Sequence, residues 1–140
     1  MAGFIYSQRQ LKIYRFLERV GPCPLPALEI IYGRKTHTAL ISLRRADYVY
    51  DIVLNEICFW SPQAYGRFNP RRQELMAWFV VRLEEKNGRY LGDDLCVTPN
   101  GTQLKLFPQD EFMLVIDDQN RKMKAYLKDL KTSTLDNCLR

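Results

Sequence analysis

The chain has 140 residues and a mass of 16.5 kDa, with 46% hydrophobic and 26% charged residues and only seven Gly and seven Pro. This excludes collagen-like, low-complexity and largely disordered classes and suffices for a buried core. The net charge of +5 is unevenly placed, with eleven Lys/Arg against five Asp/Glu in residues 1–72 and ten against eleven in residues 73–140, so a polyanion partner is expected of the first half.

Ser7 can cap a helix, with Gln10 completing a capping box and Tyr6 and Leu11 forming a hydrophobic staple. Leu11, Tyr14, Leu17 and Val20 continue at helical spacing until Gly21-Pro22. A short second helix is expected over residues 26–32, capped by Gly33. Thr36 is expected to cap a third helix that runs to about Ala46, with Leu40 and Leu43 inward and Thr38, Ser42 and Arg45 sharing the opposite face. Residues 48–52 and 57–60 are rich in β-branched and aromatic residues and read as a hairpin turning at Leu54-Asn55-Glu56.

In the second half, Asn69-Pro70 opens a long helix with the apolar stripe Leu75, Met76, Phe79, Val80 and Leu83, ending at Asn87-Gly88 and expected to pack on the hairpin. Short strands follow, with a turn at Pro99-Asn100-Gly101 and alternation through residues 102–107. Residues 112–116 read as a central strand buried on both faces. After a turn at residues 117–120, Met123, Tyr126, Leu127 and Leu130 fall at i, i+3, i+4 and i+7, which predicts a final amphipathic helix. Neither 77–81 nor 112–116, the longest apolar runs, approaches the roughly 20 residues of a membrane helix.

Three short helices and a hairpin, with Thr38-Ala39-Leu40-Ile41-Ser42-Leu43-Arg44-Arg45-Ala46-Asp47-Tyr48-Val49-Tyr50 running from the third helix into the first strand, resemble a winged helix-turn-helix domain over about residues 4–65. Asp47 departs from the glycine usual at that turn, yet Asp can adopt the left-handed conformation. Phe59-Trp60-Ser61-Pro62 resembles the end of the wing. The order of the whole chain is weakly similar to shortened replication-relaxation proteins of bacterial mobile elements, on the runs 98–101 and 112–117. This resemblance implies a regulator or accessory protein of a plasmid or mobile element.

The candidate DNA-binding residues are Arg34, Lys35, Thr36, Thr38, Ser42, Arg44 and Arg45 around the third helix, and Arg71 and Arg72 beside Tyr65, Arg67 and Phe68. A helix N-terminus offers amides to phosphate, hydroxyls and arginine can address base edges, and arginine with aromatics can hold a backbone. The competing reading of each cluster is a solvated surface. Residues 47–60 contain no Lys or Arg, while Asp51 and Glu56 are acidic. Together with Ile52, Val53 and Leu54 this suits burial against a partner or a second copy better than phosphate contact.

Cys23, Cys58, Cys96 and Cys138 have no Cys-x-x-Cys spacing, and His37 is the single histidine, so neither zinc nor another cofactor is expected. Cys58 and Cys96 read as core and Cys138 as tail; with no leader pattern at the start, the thiols read as reduced and cytoplasmic. Asp93-Asp94, Asp110-Glu111 and Asp117-Asp118 raise a metal-dependent nuclease, but Gln119 stands where a lysine would be needed. Trp60 and Trp78 read as core and His37 as an exposed polar residue. The expectation is an α+β chain with a winged helix-turn-helix over residues 1–66. Residues 67–140 would add a long helix, a small mainly antiparallel sheet and a C-terminal helix packed on it. Its expected function is non-enzymatic binding of double-stranded DNA, with a homodimer as the expected assembly and no membrane partner, and with a protein-interaction module that uses the apolar wing as the alternative.

Overall fold

The computed structural model describes residues 7–64 and 67–139 and is a mixed α+β structure. Helix α1 (Gln8–Val20) starts where the Ser7 hydroxyl accepts the Gln10 amide at 3.3 Å, and it buries Ile13, Phe16 and Leu17. The expected staple partner Tyr6 lies outside the described residues. Gly21, at φ 93°, ends the helix by donating its amide to the Leu17 carbonyl at 2.8 Å. A two-residue strand β1 (Cys23–Pro24) leads into α2 (Leu25–Tyr32), and α3 (Thr36–Arg45) follows. Asp47 then takes the left-handed conformation, at φ 62°, and turns the chain toward the hairpin.

Strands β2 (Tyr50–Leu54) and β3 (Ile57–Ser61) are joined by Asn55 and Glu56, both at positive φ. That tight two-residue turn matches the twist of the strands. β1 pairs with β3, setting Cys23 opposite Trp60, so the first sheet has the order β1-β3-β2. A Cys-Pro pair between prolines carries no period, and β1 was therefore invisible in the sequence.

Helix α4 (Pro70–Glu85) is capped by Asn69, whose side chain accepts the Arg71 and Arg72 amides at 3.1 and 3.2 Å. Every residue from Glu74 to Leu83 is buried. The reason is that α4 packs on α2 and β1 on one side and on the second sheet and the C-terminal helix on the other. Its main partners in the first half are thus α2 and β1 rather than the hairpin that sequence pointed to. The two buried charges among the described residues, Glu74 and Arg82, are both satisfied, as such charges must be. Arg82 Nε donates to the Leu130 carbonyl at 2.6 Å, and Glu74 pairs with Lys131 at 3.1 Å.

The second sheet is an antiparallel meander of β4 (Arg89–Gly92), β5 (Leu95–Val97), β6 (Gln103–Pro108), β7 (Met113–Asp117) and β8 (Lys122–Tyr126) in chain order. Its inner face contributes Cys96, Leu104, Leu106, Leu114, Ile116, Met123 and Ala125 to the core. Three expectations are corrected here. The strand around residues 112–116 is buried on one face only, since Met113, Val115 and Asp117 are half-exposed and Phe112 is exposed. The final helix is shorter than expected: residues 122–126 are β8, and α5 (Leu127–Thr132) and α6 (Leu135–Cys138) follow. Met123 and Ala125 alternate with Lys122 and Lys124, and β7 offers a free edge, so the two-residue period wins over the helical one. Cys58 is exposed and Cys138 buried, the reverse of expectation, because β3 turns Cys58 outward and α6 folds back on the core.

Candidate nucleic-acid interface

Rotation by about 100° per residue divides α3 into three faces. Thr36, Ala39, Leu40 and Leu43 are buried. On the opposite side Thr38 and Arg45 are exposed and Ser42 and Ile41 half-exposed, so the expected outward trio of Thr38, Ser42 and Arg45 stands together one turn apart. The third face, His37 and Arg44, turns to the hairpin. Arg44 Nη1 is 3.1 Å from Asp51 Oδ1, and the Arg44 guanidinium carbon lies 5.5 Å from the Trp60 ring centroid. The His37 ring stands edge-on to Trp60 at 6.1 Å. Asp51 and Trp60 are direct partners in the β2–β3 register, which is why one arginine reaches both.

Thr36 does not belong to the outward face. It is fully buried, and its hydroxyl donates to the Gly33 carbonyl at 2.6 Å. Lys35, not Thr36, is the residue that flanks the helix start, and no side chain caps it; the Thr36 amide is taken by the Gly33 carbonyl at 3.2 Å, which leaves the His37 and Thr38 amides with capacity for an anion. Arg34 and Lys35 are exposed in the turn before α3 and, like Arg45, make no ion pair among the described residues.

Arg71 and Arg72 do not act as free cations. Arg71 is 3.6 Å from Glu111 and Arg72 is 3.8 Å from Asp94, so the anions that relieve cations at the α4 N-terminus come from loops of the second sheet. Tyr65, read beside them in the sequence, lies outside the described residues, and Arg67 is exposed. The other acids with side-chain bonds are turn formers: Asp110, Asp117 and Asp118 each accept amides two or three residues on. Two such amides, from Arg121 and Asn120, hold the Asp118 carboxyl below its ordinary value.

The apolar hairpin is also less exposed than its sequence implies. Ile52 and Leu54 are half-buried, whereas Val53 is 66% exposed, because only Val53 shares its face with the exposed Cys58. That face of the hairpin forms one wall of an open groove of about 1000 Å³, with Trp60 and Trp78 on its floor and Ile41, His37 and Leu25 along its sides. A second feature escaped sequence reading: Lys12 and Arg15 on α1, with Arg89 and Tyr32, line a smaller basic pocket of about 460 Å³. The signal available was two cations three residues apart on the polar face of α1.

No protein-family model, no curated protein and no solved structure matches the chain. Among the described residues no helix is long and apolar enough to cross a membrane, and no cluster of three or more His, Cys, Asp or Glu converges on a metal position.

Proposed function

We propose that the protein is a non-enzymatic, cytoplasmic double-stranded DNA-binding protein of regulatory or accessory type, in which α3 enters the major groove. The observation that carries this reading is the outward trio Thr38, Ser42 and Arg45, with Arg34 and Lys35 immediately before the helix and no intramolecular carboxylate engaging the three cations among the described residues. Arginine and hydroxyl groups at this spacing are the chemistry of base-edge and phosphate contact. The order α1-β1-α2-α3-β2-β3, with the sheet order β1-β3-β2, supports a winged helix-turn-helix reading of the first half. The hairpin, which carries Asp51 and Glu56 and no cation, contributes nothing to phosphate binding in this reading.

The groove floored by Trp60 and Trp78 favours a second reading, a module in which the hairpin face docks a protein partner or a second copy. Anisotropy titration against random-sequence duplex DNA at about 50 mM and about 200 mM salt separates the two. Micromolar binding that collapses at the higher salt, with a slope of roughly −0.9 per phosphate neutralised, is expected of the first. Absence of binding at both salts overturns it in favour of the second.

A further inference from the structure

We infer that the outward face of the five-stranded sheet is a binding surface for single-stranded nucleic acid, separate from α3. The alternation that buries Leu104, Leu106, Leu114, Ile116, Met123 and Ala125 necessarily turns their neighbours outward. Strand register then places them in rows. Phe107, Val115 and Lys124 form one row, Lys105, Asp117 and Lys122 the next, and Met113 and Tyr126 a third beyond Phe107. Adjacent strands are about 4.8 Å apart, so the first row sets the Phe107 ring and the Lys124 ammonium within reach of one nucleotide, with the lysines of the second row on one side and the Tyr126 ring of the third on the other.

Two aromatic rings at this surface and its border are open to solvent: Phe107, in the outward rows, is 47% exposed, and Phe112, in the loop just before β7, is 56% exposed. Phe112 and Tyr126, with Leu127, Lys128 and Lys131, line an apolar pocket of about 440 Å³ at the end of β7 and β8. A flat ring seated against aromatic walls with an ammonium group at the rim is the environment that takes a base and its phosphate.

Charge selects the occupant. Lys105, Lys122, Lys124 and Lys128 are exposed and make no ion pair among the described residues. The one carboxylate in the rows, Asp117, accepts the Gln119 amide at 2.8 Å. Of the acids beside Phe112, Glu111 faces Arg71, while Asp110 accepts the Phe112 and Met113 amides and keeps its charge, so the four lysines still outnumber the unpaired carboxylates Asp110 and Asp117. A two-fold dimer through this face would set lysines against lysines, which disfavours a second copy. A polyanion removes that repulsion. Exposed rings gain most from bases that are not already stacked in a duplex, which points to a single strand.

The test is anisotropy of labelled 12-mers of oligo-dT and oligo-U with the full chain. Binding is expected for both, and to persist against excess unlabelled duplex. Phe107→Ala and Phe112→Ala should each weaken it roughly tenfold, in line with the loss of one stacked base. Lys105→Glu, Lys122→Glu and Lys124→Glu together should abolish it, while Phe107→Trp retains it and shows that the surface still folds. Ultraviolet cross-linking of oligo-dT should map to Phe107, Phe112 or Tyr126. Arg45→Ala should leave single-strand affinity unchanged, so failure of the α3 reading and failure of this one are distinguishable. Absence of binding, binding indifferent to the phenylalanine variants, or binding only to vesicles containing phosphatidylserine would each overturn the proposal, the last in favour of a membrane surface.

Discussion

Arg19 on α1 grips Glu84 on α4 through two bonds, Nη1 to Oε2 at 2.6 Å and Nη2 to Oε1 at 3.1 Å. The same Nη1 donates to the Tyr90 carbonyl at 3.3 Å, and Glu84 also accepts the Tyr90 amide. The side chains are only 25% and 14% exposed, so this pair is shielded from the screening that makes surface pairs weak. It ties the first helix to the start of the second sheet.

Replacing Arg19 by Ala leaves Glu84 partly buried with one donor instead of three. The expected cost is about 2 kcal/mol, read as a shift of the urea midpoint at unchanged m-value. Arg19→Lys should recover only part of it, because an ammonium cannot reproduce the two parallel bonds. A loss below about 0.5 kcal/mol for Arg19→Ala would show the pair to be incidental.

Arg44 and Arg45 are neighbours in sequence but not in role. Arg45→Ala should weaken duplex DNA binding and shallow the salt slope by about one phosphate, with stability changed by less than about 0.5 kcal/mol. Arg44→Ala removes the contact with Asp51 and Trp60 and should quench or enhance Trp fluorescence while changing DNA affinity less. Equal effects of both on DNA binding would contradict the division of α3 into separate faces.

Gly88 is required by space. A Cβ there would lie 2.5 Å from Leu83 Cδ1 and 3.1 Å from the Val97 carbonyl oxygen. Leu83 is buried at the end of α4 and the carbonyl belongs to the sheet, so neither yields easily. Gly88→Ala is expected to cost about 1–3 kcal/mol in chemical denaturation. An unchanged midpoint would mean that α4 and β5 separate more readily than their packing implies.

The cysteines give a pH dependence with a definite sign. Burial pushes the Cys96 thiol up from 9.0 to about 12, helped by the Glu84 and Asp94 charges, and burial pushes Cys23 up as well. Unfolded thiols therefore ionise first, and stability that is full below pH 9 falls as pH rises from 9 toward 12. The slope is about 1.4 kcal/mol per pH unit for each buried thiol, and Cys96→Ala should flatten it. In the native state Cys58, the exposed thiol, is expected to react with an aromatic disulfide reagent well before Cys23, Cys96 and Cys138. Stability that stays flat from about pH 8.5 to about pH 10.5 would contradict the burial of these thiols.

Sequence alone determined the elements whose signals are local. The hydroxyl of Ser7 and the amide of Asn69 mark helix starts by bonding amides two or three residues on. The helical spacing of Leu11, Tyr14, Leu17 and Val20 marks α1, although the fully buried residues are Leu17 with Ile13 and Phe16 beside that stripe, and Thr38, Ser42 and Arg45 fall outward because Leu40 and Leu43 must fall inward. Tertiary structure decided whatever depended on a distant partner. β1 exists because β3 lies beside it, and residues 122–126 became a strand because β7 offered an edge. Arg44, Arg71 and Arg72 look alike in sequence to Arg45, yet Asp51, Glu111 and Asp94 engage them from other segments while Arg45 is left in solvent. Charge pairing and strand pairing act between residues far apart in the chain, whereas capping and periodicity act within a turn or two, and that difference in range set what the sequence could tell.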